Sequence, residues 1–214
     1  MCGRYSLASN TEALTGHFGL HTAYTLKPRY NISPSQNCPI ITQNKDKTRE
    51  LQSMRWGLVP HWSKGLDHKF SLFNARSETI DKKASFRYSF RHRHCLVPAD
   101  GYYEWAADRS GKTAHRITIK SDPIFAFAGL WDIWQDQSNA IYSFTILTTP
   151  ACSQLETLHH RKPVIINPQH YSSWLANKEN GLSERNDPVF TTTTVGNKVN
   201  DPRNEGPDLW LPQS

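Results

Sequence analysis

Long apolar runs are missing from this chain of 214 residues: no stretch approaches the ~18 residues that a bilayer-spanning helix needs. The opening MCGRYSLASN also lacks the apolar core of a secretory signal, so a soluble, cytoplasmic protein with no membrane partner is expected. Cysteine is scarce. Cys2, Cys38, Cys95 and Cys152 include no C-x-x-C pair and match neither a zinc ribbon nor a disulfide framework, so free thiols are expected. Cys95, in the apolar run Cys95-Leu-Val-Pro98, reads as a core residue. The cluster His92, His94 and Cys95 has no second half, so no metal is expected. Internal repeats and low-complexity segments are absent as well.

What is present suffices for one domain spanning residues 1–214. Hydrophobic residues reach only 37%, but seven Trp, eight Tyr and nine Phe supply large side chains for a core. The net charge is +6 and the pI near 9.2, which favours a polyanionic partner without establishing one. The basic residues crowd between Lys82 and His94, with Phe86, Tyr88 and Phe90 interleaved. That segment reads equally as a solvated face or as a phosphate-contacting surface.

Ser9-Asn-Thr-Glu12 has the pattern of a capping box, and Leu14 and Phe18 follow at helical spacing, so a short helix is expected to start there. Pro28 to Pro39 is turn-rich and reads as an ordered loop. Strands are expected at Pro39–Thr42, Leu51–Val59, His94–Pro98, Tyr102–Ala106, Arg116–Lys120, Ile124–Trp131, Tyr142–Thr149, Val164–Ile166 and Val189–Val195. Their β-branched and aromatic content and their Gly, Pro, Asn or Asp borders support this. A second helix is expected after Asn167-Pro168, with Trp174 and Leu175 facing inward, and Asn177 to Asp187 reads as a loop. Strands and helices do not alternate. The expected fold class is therefore α+β: mainly antiparallel β, a barrel-like sheet with a few flanking helices.

The chemistry centres on Cys2. Aminopeptidases remove Met1 when the next side chain is small, which leaves an α-amine and a thiol on one residue. An α-amine titrates near ~7.7–8.0 and a thiol near ~8.5, so both are partly nucleophilic around neutrality. Neighbouring cations can lower the thiol further. A 1,2-aminothiol suits the capture of aldehydes: the amine forms a Schiff base and the thiol closes on it as a thiazolidine. An ordinary frayed terminus is the competing reading of Met-Cys alone. Other segments set polar residues among apolar ones: Met54-Arg-Trp-Gly-Leu-Val-Pro-His-Trp62, Phe73-Asn-Ala-Arg-Ser-Glu78, Ala99-Asp-Gly-Tyr-Tyr-Glu-Trp105 and Leu158-His-His-Arg-Lys-Pro163. Glu104 stands between aromatics, which can raise a carboxyl toward the general acid–base range. Arg76 could simply pair with Glu78 or Asp81, and Trp62 could be core.

Taken in order, Met1-Cys-Gly-Arg4, Arg29-Tyr-Asn-Ile-Ser-Pro34, Arg55-Trp-Gly-Leu58, Asn74-Ala-Arg76, Asp100-Gly-Tyr-Tyr-Glu-Trp105 and His159-His-Arg-Lys-Pro163 resemble the SOS response-associated peptidase family, also called abasic-site shielding proteins. Val199-Asn200 fits its closing motif more loosely. The resemblance implies capture of abasic sites in single-stranded DNA as a thiazolidine crosslink to Cys2, by a monomer that needs no cofactor. It implies that Glu104 positions the amine or relays its proton and that His159 assists ring opening and Schiff-base chemistry. Asn74 would hold the sugar or the Cys2 backbone. Arg4, Arg76 and Arg161 would contact phosphates, and Pro34 and Trp62 would form a stacking or wedging surface. Any proteolysis is expected to be self-processing at Cys2. Lys162 departs from the family, which usually has Met before that Pro; it could alter local packing or add a phosphate contact.

Two rivals remain. An N-terminal nucleophile amidohydrolase of the glutamine amidotransferase type also begins Met-Cys-Gly, with the thiol attacking an amide; Arg4 stands where Ile is usual there. A non-catalytic single-strand binding module would use only the basic and aromatic residues.

Overall fold

The computed structural model describes residues 2–21, 25–65, 72–108, 111–178, 182 and 187–213. In chain order the elements begin with β1 (Tyr5–Leu7), α1 (Thr11–Phe18), β2 (Arg29–Ile32), β3 (Asn37–Gln43), β4 (Arg49–Trp56) and β5 (Asn74–Arg76). Next come α2 (Arg87–His92), β6 (His94–Ala99), β7 (Gly101–Asp108), β8 (Gly111–Ile119), β9 (Phe125–Gln135) and β10 (Ala140–Pro150). The last are β11 (Arg161–Pro163), β12 (Ile165–Ile166), α3 (Tyr171–Leu175) and β13 (Phe190–Val195). Most of Asn177–Asp187 lies outside the described residues.

One sheet is antiparallel throughout, in the order β13-β8-β7-β1-β2. In the other, β10, β4, β3, β6 and β9 run in that order, and β9 pairs back onto β10 to close a five-stranded barrel. The fold is therefore α+β and barrel-like, as expected, with one local exception to antiparallel pairing. β10 runs parallel to both β4 and β5, in the registers Ser143↔Arg55 and Ile146↔Asn74.

Aromatic rings join the two sheets. Tyr5 of β1 meets Trp56 edge-on at 5.2 Å and Phe127 at 5.9 Å, and Tyr102 of β7 meets Phe127 at 5.9 Å. All four side chains are buried, and so is Cys95. Burying aromatic residues of this size dominates the energetics of such a core. His94 turns its ring nitrogens to the carbonyls of Trp174 and Phe90, at 2.9 and 2.6 Å, and its ring stacks on Trp174.

Each expected strand is present, with shifted ends. The short elements differ more. The cap of α1 is Asn10 rather than Ser9: its side chain accepts from the Ala13 N–H at 2.8 Å. Leu14 and Phe18 are buried as expected. The turn-rich segment after Pro28 contains β2, held against β1, and only then the Pro34 turn. Asn167 does cap the second helical segment, accepting from the Gln169 N–H, and Trp174 and Leu175 are buried.

Candidate active site

The topology of β10 builds one wall of the site. Its C-terminal half lies between β5, at Ile146–Thr148, and β11, at Thr148–Pro150. Asn74 starts β5 and His159 precedes β11, so the two flank the same end of one strand. The opposite wall comes from the other sheet. Cys2 leads into β1, and the Tyr103 N–H donates to the Arg4 carbonyl at 2.9 Å, which keeps the segment beside Glu104 of β7.

Asn74 bridges the walls: its Nδ2 donates to the Cys2 carbonyl at 2.8 Å. Its Oδ1 is buried with no hydrogen-bond partner among the described residues. Glu104 is 5% exposed, and burial raises its carboxyl from 4.5 to about 7, against a pull from the positive amino terminus. His159 is half-buried and is shifted downward, first by burial and then by the amino terminus. Its Nδ1 lies 2.9 Å from the Arg161 backbone nitrogen and 3.1 Å from the Arg161 carbonyl oxygen, which fixes the ring against the start of β11. His160 stacks on it at 4.3 Å between ring centres.

The Cys2 thiol corrects one expectation. It is fully buried, and desolvation, aided by the Glu104 charge, pushes it well above the usual thiol range. No cation lowers it enough to offset that burial.

The cationic candidates divide. Arg76 is exposed and makes no ion pair among the described residues. Arg4 is half-buried: Nη1 donates to Asn31 Oδ1 and to the Val199 carbonyl, both at 2.7 Å, and its guanidinium lies 5.6 Å from the Trp105 ring centre. Arg161 is buried. It donates to both Glu78 carboxylate oxygens and to the Thr148 carbonyl, at 2.6 Å for the last. Its guanidinium thus ties β11 to the turn after β5 instead of lying open to phosphates. Glu78 is held at about 2 by that pairing, so its partner is Arg161 and not Arg76. Lys162 is likewise buried and pairs with Asp187 at the surface. Pro34 is half-buried in the turn between β2 and β3, and Trp62, at 58% exposed, is no core residue.

Several contributors escaped notice in the sequence. Asn31 joins Arg4 to the C-terminal segment, donating to the Asp201 and Asn204 carbonyls at 2.9 and 3.0 Å. Trp105 donates to Asn200 Oδ1 at 2.6 Å. Both motifs, Arg29-Tyr-Asn-Ile and Val199-Asn200, were visible, but nothing in them shows that they meet. No group of three metal-ligating side chains occurs among the described residues.

Comparison with known proteins agrees with this architecture. The family profile described as "SOS response associated peptidase (SRAP)" matches residues 1–202. Abasic site processing protein YoqW of Bacillus subtilis (strain 168) is 34% identical over 221 residues, covering 98% of each chain. HMCES of Pongo abelii, also named an abasic site processing protein, is 31% identical over 86% of this chain and 65% of its own. A crystal structure of a Bacteroides thetaiotaomicron protein superposes over 100% of both chains with a TM-score of 0.84 at 24% identity, a likeness of fold. The chain belongs to the SOS response associated peptidase family.

Proposed function

We propose that this chain processes abasic sites by capturing their aldehyde, in single-stranded DNA, as a thiazolidine on Cys2 after Met1 is removed. The observation that carries the reading is the Asn74–Cys2 hydrogen bond beside a buried Glu104 that titrates near neutrality. The names of the relatives support the abasic site as substrate.

The free Cys2 amine attacks the open-chain aldehyde carbon and loses water to give an imine. The thiol then adds across the C=N bond; its proton ends on nitrogen, and the net reaction releases one water. With Met1 still in place, burial raises the thiol; once Met1 is gone the amine attacks first, and the thiol closes the ring. Glu104, near pKa 7, accepts the thiol proton and returns one to nitrogen. His159, shifted toward its neutral form by burial, serves the opening of the sugar ring. Asn74 holds the Cys2 carbonyl with its Nδ2 and leaves Oδ1 for a sugar hydroxyl. Arg4 and Arg76 supply positive charge toward the strand, while Pro34 and Trp62 offer the stacking surface. Arg161 acts indirectly by fixing the backbone beside His159. Proteolysis is confined to exposing Cys2.

Intact mass before and after mixing with an oligonucleotide bearing one abasic site tests this. The expected result is loss of Met1 and a single covalent adduct of protein plus oligonucleotide minus one water. Glutamate release from glutamine with no adduct would favour the amidohydrolase rival.

A further inference from the structure

The basic segment 82–94 contributes no residue to the site above, yet its placement is specific. Phe86, Ser89 and Phe90 are buried and anchor α2, which leaves Arg87, Tyr88, Arg91 and His92 exposed. At helical spacing these form two rows, Arg87 with Arg91 and Tyr88 with His92. Lys82, Lys83, Arg87 and Arg91 make no ion pair among the described residues, and Asp81 is the sole acidic residue from 81 to 94.

The ring row continues off the helix. Tyr88, 40% exposed, lies 4.9 Å from the His92 ring and 4.4 Å from the His61 ring, and His61 precedes the exposed Trp62. A carboxylate beneath fixes this array. Asp132, 1% exposed, accepts from the His61 N–H at 2.9 Å, contacts His61 Nδ1 at 2.9 Å and pairs with Arg93. The Arg93 guanidinium in turn lies 5.2 Å from the Tyr88 and Trp131 ring centres. A buried charge is costly unless paired, and here its partners are groups that hold surface rings in one arrangement.

We infer that the outer face of α2, with the His61 ring packed against it, forms a second track for single-stranded DNA that leads away from Trp62, the rings of Tyr88, His92 and His61 taking unpaired bases and Arg87 and Arg91 the phosphates. Parallel rows of rings and unpaired cations match a strand with one base and one phosphate per step. A duplex, whose bases are already stacked, has no use for the ring row. The inference rests on the DNA reading of the site but not on the Cys2 chemistry.

Anisotropy of a labelled oligothymidylate without abasic sites, titrated with the full chain at several salt concentrations, tests it. Tyr88→Ala with His92→Ala should weaken binding about tenfold at fixed salt and leave the salt slope unchanged. Arg87→Ala with Arg91→Ala should lower the slope by about 1–2. Circular dichroism checks that each variant folds. Affinity within about twofold of the unaltered chain for the ring variant overturns the inference, as does equal competition by duplex. Failure of the unaltered chain to bind, or self-association lost in Tyr88→Ala, also overturns it. Adduct formation, measured separately at saturating abasic oligonucleotide, should persist in the ring variant. Its absence in the unaltered chain would sink the proposed function and leave the track to stand or fall on the anisotropy.

Discussion

The Asn74 amide donates to the Cys2 carbonyl oxygen at 2.8 Å and so ties the barrel to the amino-terminal strand of the other sheet. With the Tyr103 N–H that holds the Arg4 carbonyl, this contact sets where the N-terminal nucleophile sits, because β1 begins only at Tyr5.

Asn74→Ala should therefore slow adduct formation more than it destabilises the fold. One lost hydrogen bond corresponds to about 0.5–1.5 kcal/mol, or roughly two- to twelvefold in rate. Asn74→Asp should be worse, since it sets a carboxylate against a carbonyl. Quench-flow sampling of denaturation-resistant product, beside a thermal melt, separates the two effects. A melt shifted as strongly as the rate would mean that Asn74 is only structural.

Glu104 sets a pH dependence of stability. Its folded-state value, about 7, lies above the ordinary 4.5, so between those pH values the folded chain keeps a proton that the unfolded chain has released. Stability contributed by the protonated carboxyl is then full below about 4.5 and is lost as pH rises through about 7. The gap corresponds to at most about 3 kcal/mol. Glu104→Gln should abolish that fall and raise Tm at pH 8 relative to the unaltered chain, while slowing adduct formation by about 10²–10⁴. A variant that melts with the same pH profile would show that another group carries the dependence.

Arg161 and Arg76 should separate cleanly. Removing Arg161 strands Glu78 and the Thr148 carbonyl. Arg161→Ala is expected to cost about 2–4 kcal/mol, somewhat less than for a pair buried on both sides because Glu78 is partly exposed. Arg76→Ala should leave chemical denaturation unchanged and lower the salt slope of single-stranded DNA binding by about 0.7. The reverse pattern would restore Arg161 as a phosphate contact.

Much of this was legible from the residues because long strands announce themselves. β9 and β10 carry β-branched and aromatic runs bounded by turn residues, and their existence needs no tertiary information. β1, β2, β5 and β11 are three or four residues long, too short for a pattern, and form because partners are already in place. The same limit hid the fate of Arg161. Four positively charged or imidazole residues before a proline look like a surface, and only the pairing of β11 with β10 turns Arg161 and Lys162 inward. Burial of Cys2 was equally invisible, since a terminal residue has no periodicity from which burial can be read.

Cys2→Ser tests the order of events at the nucleophile. Serine is small enough for Met1 to be removed, so the amine remains, while the hydroxyl closes rings on imines far less stably than a thiol. Imine formation needs only the amine, so the amine alone should complete the first step. Cys2→Ser is thus expected to give no denaturation-resistant product on its own and a full covalent adduct when borohydride reduces the imine in place. The unaltered chain should give its adduct without reductant, and early addition of borohydride should divert part of it to the reduced amine. An unaltered chain whose product is indifferent to borohydride at every time, together with a Cys2→Ser chain that cannot be trapped, would place the thiol first and reverse the sequence of bond formation.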